Sequence, residues 1–151
     1  MKKYKSKITR YKLVKEPVDI NKVKISSSED AMIYMKDFFG SDIDIHESFF
    51  LLLMNRANIT TGYVKISQGG TAGTVVDPIL VSKYAIESLA SSVILAHNHP
   101  SGNIKPSEND INLTKKIVQG LKMFDIHVLD HLIIPGNDVE YYFSFADEGL
   151  I

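Results

Sequence analysis

The chain has 151 residues and is 44% hydrophobic, which suits one compact domain with a real core and leaves little room for a second. It contains no cysteine, which excludes disulfides, thiolate zinc sites and a cysteine nucleophile. The net charge of −1 conceals an asymmetry: seven of the 17 basic residues (Lys2, Lys3, Lys5, Lys7, Arg10, Lys12 and Lys15) precede the first acid, and the remainder carries a net −8.

Residues 1–25 form a basic N-terminal arm with scattered Tyr4, Ile8, Tyr11, Leu13 and Val14. Tyr11-Lys12-Leu13 alternates weakly, which allows one edge strand before Pro17 breaks the run. The arm reads as a contact for nucleic acid, as a solvated tail, or as an edge strand lying on its own acidic body. The bland readings are the ordinary fate of short charge runs. No apolar run reaches membrane-spanning length, and no signal-peptide core follows the basic start. The expectation is a soluble protein with a cytoplasmic location.

Residues 26–151 read as the folded domain. Ser26-Ser27-Ser28-Glu29-Asp30 opens a helix, with one serine as cap and the acids at the positive end of the helix dipole. Ala31, Met32, Met35, Phe38 and Phe39 form its apolar stripe, and Gly40 ends it. Glu47 to Met54 reads as a strand buried on both faces, Asn55 to Asn58 as a turn, and Ile59 to Ser67 as the returning strand. Glu47 is in phase with Phe49, Leu51 and Leu53; on the sequence alone a surface residue at the strand end is the plainer reading, a placed base the other. His46 points to the other face and reads as surface. Gln68 to Thr74 is glycine-rich but lacks the Gly-Lys-Ser/Thr of a phosphate-binding loop. Asp77-Pro78 caps a helix running to about Ala90.

Ser92 to His97 reads as a buried strand, and a Pro/Gly loop leads to a helix from Ser107 to Phe124. Ile126 to Ile134 is a further strand, Pro135-Gly136-Asn137-Asp138 a tight turn, and Val139 to Phe145 the closing strand of a hairpin. The alternation predicts an α/β domain. His97 and His99, two apart on a strand, share a face, with Cα atoms roughly 6.5–7 Å apart. Asp110 falls at the third position of the following helix. Two His and one Asp make a sound zinc set that leaves the fourth position for water; iron or manganese suits the same ligands. The competing reading is plain: Ser107 with Asp110 three residues on is also a capping box, and His-x-His alone is weak. His127, Asp130 and His131 invite a second metal site. Ordinary packing is the better reading, with 127 and 131 sharing a face and Asp130 opposite; alternatively Asp130-His131 supports the ligating histidines.

The full pattern, His-x-His, seven residues, Ser, two residues, Asp, resembles the JAMM motif of the MPN metallohydrolases. The wording His97-Asn98-His99-Pro100-Ser101-Gly102-Asn103-Ile104-Lys105-Pro106-Ser107-Glu108-Asn109-Asp110 is similar to the RadC branch of that superfamily, as are Val128 to Ile134 and Tyr142 to Gly149. The resemblance implies a three-layer fold, with a mixed central β-sheet and helices on both faces, related to cytidine deaminases. It implies one Zn2+ held by His97, His99 and Asp110, Glu47 as general base with Glu87 as a rival, and Ser107 donating to an oxyanion. Peptide or isopeptide hydrolysis would follow. The glycine-rich loop would border the substrate groove. RadC proteins usually carry an N-terminal helix-hairpin-helix extension, for which this chain has no space.

One rival reading is excluded and two remain open. A nucleotide deaminase needs His-x-Glu and Pro-Cys-x-x-Cys, which this chain lacks. A DNA-associated repair or mobile-element protein would use the basic arm, in keeping with the RadC label. A non-catalytic metal-binding scaffold would keep the motif without turnover. A homodimer through exposed hairpins is compatible with all of them.

Overall fold

The computed structural model describes residues 7–70, 73–136 and 141–151. Its centre is the most apolar stretch of the chain. Strand β1 (Ser48–Met54, SFFLLLM) is buried along its whole length because it is covered on both faces. It pairs antiparallel with β2 (Thr60–Gln68) on one side and with β3 (Ser92–His99) on the other. Strand β4 (His127–Pro135) runs parallel to β3, and β5 (Phe143–Ser144) closes the sheet antiparallel to β4. The strand order is β2-β1-β3-β4-β5.

Side-chain alternation sends each strand's apolar residues to two separate cores. Phe50, Leu52, Met54, Ile94 and Ala96 pack with α1 (Ser28–Phe39) through Ala31, Met32, Met35 and Phe39. Phe49, Leu51, Leu53, Val93 and Leu95 pack on the other face with Val81 and Ala85 of α2 (Pro78–Glu87) and with Ile117 and Leu121 of α3 (Glu108–Lys122). The result is the expected three-layer α/β domain with a mixed sheet.

The expected helix signals act where the sequence places them. Ser27 is the serine that caps α1, accepting from the Asp30 N–H at 3.1 Å, and Gly40 ends the helix at φ 61°. Asp77 caps α2 by accepting from Ile79 N–H at 2.8 Å, with Pro78 in the first turn. That helix stops at Glu87 short of Ala90, because Leu89 adopts a left-handed φ of 56°. Asp125 likewise takes φ 55° after α3, which ends at Lys122 short of Phe124.

Three expectations change. Tyr11 to Leu13 forms no strand; Ile8, Tyr11 and Val14 are exposed, and the first ladder contact among the described residues is a bridge from Lys24 to Ile59. The closing strand is shorter than Val139 to Phe145. Val139 and the turn residues Asn137 and Asp138 lie outside the described residues, and among the described residues pairing is confined to Phe143 and Ser144. Beyond it, the carboxylate of Asp130 captures Ser144 Oγ at 2.7 Å and Ala146 N–H at 3.0 Å and turns the chain out of the ladder. Third, His127 and His131 do not share a face. A bulge pairs Val93 with Val128 but Ile94 with Asp130, which reverses the phase of β4 at Leu129. His127 is exposed and His131 is wholly buried.

Candidate metal centre

The site lies where β3 leaves the sheet. In β3, Val93 and Leu95 face α2 and α3, so the same phase carries His97 and His99 to that side. The β1–β3 register pairs Phe49 with His97. Continued by two residues, it sets Glu47 opposite His99. Ring nitrogens of both histidines and a carboxylate oxygen of Glu47 lie within 4.8 Å of one another. From the other direction, the start of α3 brings Asp110, with Oδ1 3.5 Å from His97 Nε2 and Oδ2 3.9 Å from His99 Nε2.

The hydrogen-bond partners fix where the protons sit. His99 Nδ1 lies 2.5 Å from the Asn103 carbonyl, which can only accept; His99 therefore carries its proton there and leaves Nε2 bare. The Thr114 hydroxyl donates its single proton to the Asp110 carbonyl at 2.6 Å. Its contact with His131 Nδ1, also 2.6 Å, must then be donation from the ring. His131 is wholly buried, and burial followed by the neighbouring His97 and His99 holds its pKa well below the ordinary value of 6.5, so it is neutral and its Nε2 is an acceptor. His97 Nδ1, 2.8 Å away, donates to it, and His97 Nε2 is bare as well.

Two bare imidazole nitrogens thus face each other 2.9 Å apart beside two carboxylates. Their lone pairs repel unless a cation stands between them. Tetrahedral zinc with arms of about 2.0–2.1 Å spans ligand pairs about 3.3 Å apart. The observed separations of 2.9, 3.5 and 3.9 Å lie on both sides of that value, so the residues fit a small divalent metal after a small adjustment.

Two carboxylates compete for the third position. Asp110 Oδ2 is engaged by Ser107 N–H and Ser107 Oγ, both at 2.7 Å, and Oδ1 is turned toward His97. Glu47 is half-buried. Burial pushes its pKa up and the Asp110 charge adds to this, while His99 and the Thr74 N–H oppose it. A carboxyl held above its ordinary range is suited to exchanging a proton. Gly73 lies against it: a Cβ there would sit 3.5 Å from Glu47 Oε2, at a φ of 117°. Gly73, near the end of the glycine-rich stretch, therefore borders the site. Burial is also the main reason that His97 titrates low, at about 4.

Ser107 is the N-cap of α3 in a complete capping box with Asp110. Its proton points to Asp110 Oδ2, so donation to a substrate needs that hydroxyl to rotate. Glu87 is exposed at the end of α2 and is not among the side chains gathered at His97 and His99. His46 is half-buried instead of a free surface residue, and its Nδ1 is buried with no partner among the described residues. A cleft of about 620 Å3 between residues 13–22 and β2 contains none of the site residues.

Two participants are not apparent from the motif. Asn98, between the histidines, points to the opposite face and holds the segment carrying Glu47. Thr114 sits one turn below Asp110 on the same face of α3, the one signal that its hydroxyl lies under the site.

A model of the RadC-like JAB domain matches residues 25–150. The chain is 44% identical over 133 residues to a UPF0758 protein of Flavobacterium johnsoniae, covering 87% of this chain and 56% of that one. It is 37% identical over 148 residues to a UPF0758 protein of Fusobacterium nucleatum, covering 98% and 60%. UPF0758 protein YfjY of Escherichia coli is 41% identical over 105 residues, covering 70% and 64%. The chain spans little more than half the length of the relatives it matches over most of its own length.

Proposed function

The chain belongs to the RadC-like JAB domain family, and from that premise we propose that it is a zinc-dependent hydrolase of amide or isopeptide bonds in a peptide or protein substrate. The observation that carries this reading is the 2.9 Å approach of His97 Nε2 to His99 Nε2 beside Asp110 and Glu47. His97, His99 and Asp110 would hold the metal. When bound, zinc lowers the pKa of a water and polarises the scissile carbonyl.

Glu47 takes the proton from the attacking water and returns it to the leaving amine, for which its raised pKa is suited. Asp110 is the better ligand because its cap bonds to Ser107 orient one oxygen and leave the other toward His97. Ser107 turns its hydroxyl from Asp110 to the substrate oxygen as negative charge develops there. Residues 26–151 constitute the catalytic domain and residues 1–25 an appended basic arm. The absence of cysteine fits a cytoplasmic setting, and among the described residues no helix is long and apolar enough to cross a membrane.

The test is a screen of zinc-loaded wild type against peptide and isopeptide-linked substrates, beside Glu47→Gln. Hydrolysis by wild type that falls at least a hundredfold in the variant is expected. Equal activity in both would place the base elsewhere.

A second reading rests on the arm, where Lys7, Arg10, Lys12 and Lys15 are all exposed. It is DNA association through phosphate contacts. Salt-dependent binding of duplex DNA, lost on removal of residues 1–15, supports it; no binding at low salt removes it.

A further inference from the structure

His131 is a buried titratable residue for which the proposed reaction has no step. It lies behind His97, on the side away from Asp110 and His99. Its ring stacks on Phe145 with centroids 4.7 Å apart and planes 16° from parallel, and meets Phe49 edge-on at 5.4 Å. Phe49 in turn lies nearly parallel to His97, at 11°. Neither imidazole is free to rotate. Each nitrogen of His131 has one partner, Thr114 on one side and His97 on the other.

We propose that Thr114 and His131 are positioning residues that hold His97 in the tautomer with its proton on Nδ1 and Nε2 bare. The inference rests on the metal site proposed above and explains how one of its ligands is kept competent. The direction of the relay originates in the backbone. The Asp110 carbonyl accepts the Thr114 proton, which leaves only a lone pair of Oγ1 for His131 Nδ1–H. His131 must then accept at Nε2, and His97 must donate from Nδ1. If the Thr114 hydroxyl is removed, the chain loses its anchor. His131 gains by moving its proton to Nε2, donating to His97 Nδ1 and forcing the His97 proton onto Nε2, where it blocks the metal. Asp110 is thereby tied to the site twice: its carboxylate faces His97 directly, and its carbonyl sets the proton of the same ring from behind.

The test compares wild type with Thr114→Val and Thr114→Ser. Long-range 1H–15N spectra of the metal-free proteins at neutral pH read the protonated nitrogen of His97. Competition with a chromophoric chelator reads zinc affinity. Wild type and Thr114→Ser are expected to show a protonated Nδ1 and similar affinity. Thr114→Val is expected to show a substantial Nε2–H population and an affinity about ten- to hundredfold weaker. Thr114→Ala serves in its place should the valine variant fail to fold. A wild-type His97 protonated on Nε2, or unchanged tautomer and affinity in the variant lacking the hydroxyl, would overturn the proposal. The tautomer is read without metal, so it decides the relay even if wild type binds no zinc; that separate result would remove the metal site.

Discussion

The side chain of Asn98 accepts the Ser48 N–H at 2.7 Å and gives its two amide protons to the carbonyls of Ile43 and His46, at 2.6 and 2.8 Å. The strand that presents His97 and His99 on one face therefore grips, with the residue between them, the segment that delivers Glu47. Asn98 is wholly buried and its side chain meets all three groups at once.

Replacing Asn98 by Ala would strand one N–H and two carbonyls in the interior. Each buried unsatisfied group costs about 1–3 kcal/mol. A loss of about 3 kcal/mol in urea unfolding is expected. Zinc binding should persist, because His97, His99 and Asp110 are held by β3 and α3. Hydrolysis should fall with Glu47 unpinned. A variant as stable as wild type would refute the clamp.

The metal-free protein should weaken as pH falls. His97 titrates at about 4 and His131 well below its ordinary 6.5 in the folded state, both chiefly through burial. In the unfolded chain both take up protons near pH 6.5. The unfolded state therefore binds more protons from that pH downward, and stability present above it is lost progressively, to about pH 4 for His97 and further for His131. The slope is about 1.4 kcal/mol per pH unit for each histidine. Glu47, with a raised pKa, acts in the opposite sense, favouring the folded state at low pH. Two imidazoles outweigh one carboxyl between pH 6.5 and 5. Equal unfolding free energies at pH 7.5 and 5 would contradict this.

Asp130 serves the opposite face of the sheet from the site. Its carboxylate accepts from His131 N–H, Ala146 N–H and Ser144 Oγ. Asp130→Ala should cost about 3 kcal/mol or more by leaving the His131 and Ala146 N–H groups without this acceptor, while Ser144 Oγ keeps Ser28 Oγ. Zinc stoichiometry should stay at that of wild type in the folded fraction. A loss of metal with full stability would mean that Asp130 acts on the site directly.

Ser107→Ala removes both a cap and the proposed oxyanion donor. The cap is worth about 1 kcal/mol, which thermal unfolding would register. Loss of an oxyanion donor lowers kcat by about a hundredfold or more. A stability loss with unchanged kcat would restrict Ser107 to capping.

Much of this arrangement was legible in the sequence because it depends on short-range periodicity. His97 and His99 two apart on a strand, Glu47 in phase with Phe49, and Asp110 at the third position of a capped helix all follow from local rules. What was not legible depends on contacts between distant segments. The bulge in β4 that carries His131 inward and leaves His127 outside arises from the pairing of β3 with β4. Alternation alone cannot reveal it. The roles of Asn98 and Thr114 likewise need the loop before β1 and the β3–α3–β4 crossover to be in place. The short β5 follows from Asp130 taking the Ala146 N–H, a side-chain choice outside any strand pattern.

The most direct measurement is the metal content of purified protein without added metal, for wild type, His97→Ala, Asp110→Asn and Glu47→Gln. The account predicts one zinc per chain in wild type and in Glu47→Gln, and none in the other two. Zinc retained in Asp110→Asn but lost from Glu47→Gln would exchange the roles of the two carboxylates. Wild type without metal, even after zinc is restored and the excess removed, would contradict the metal centre itself.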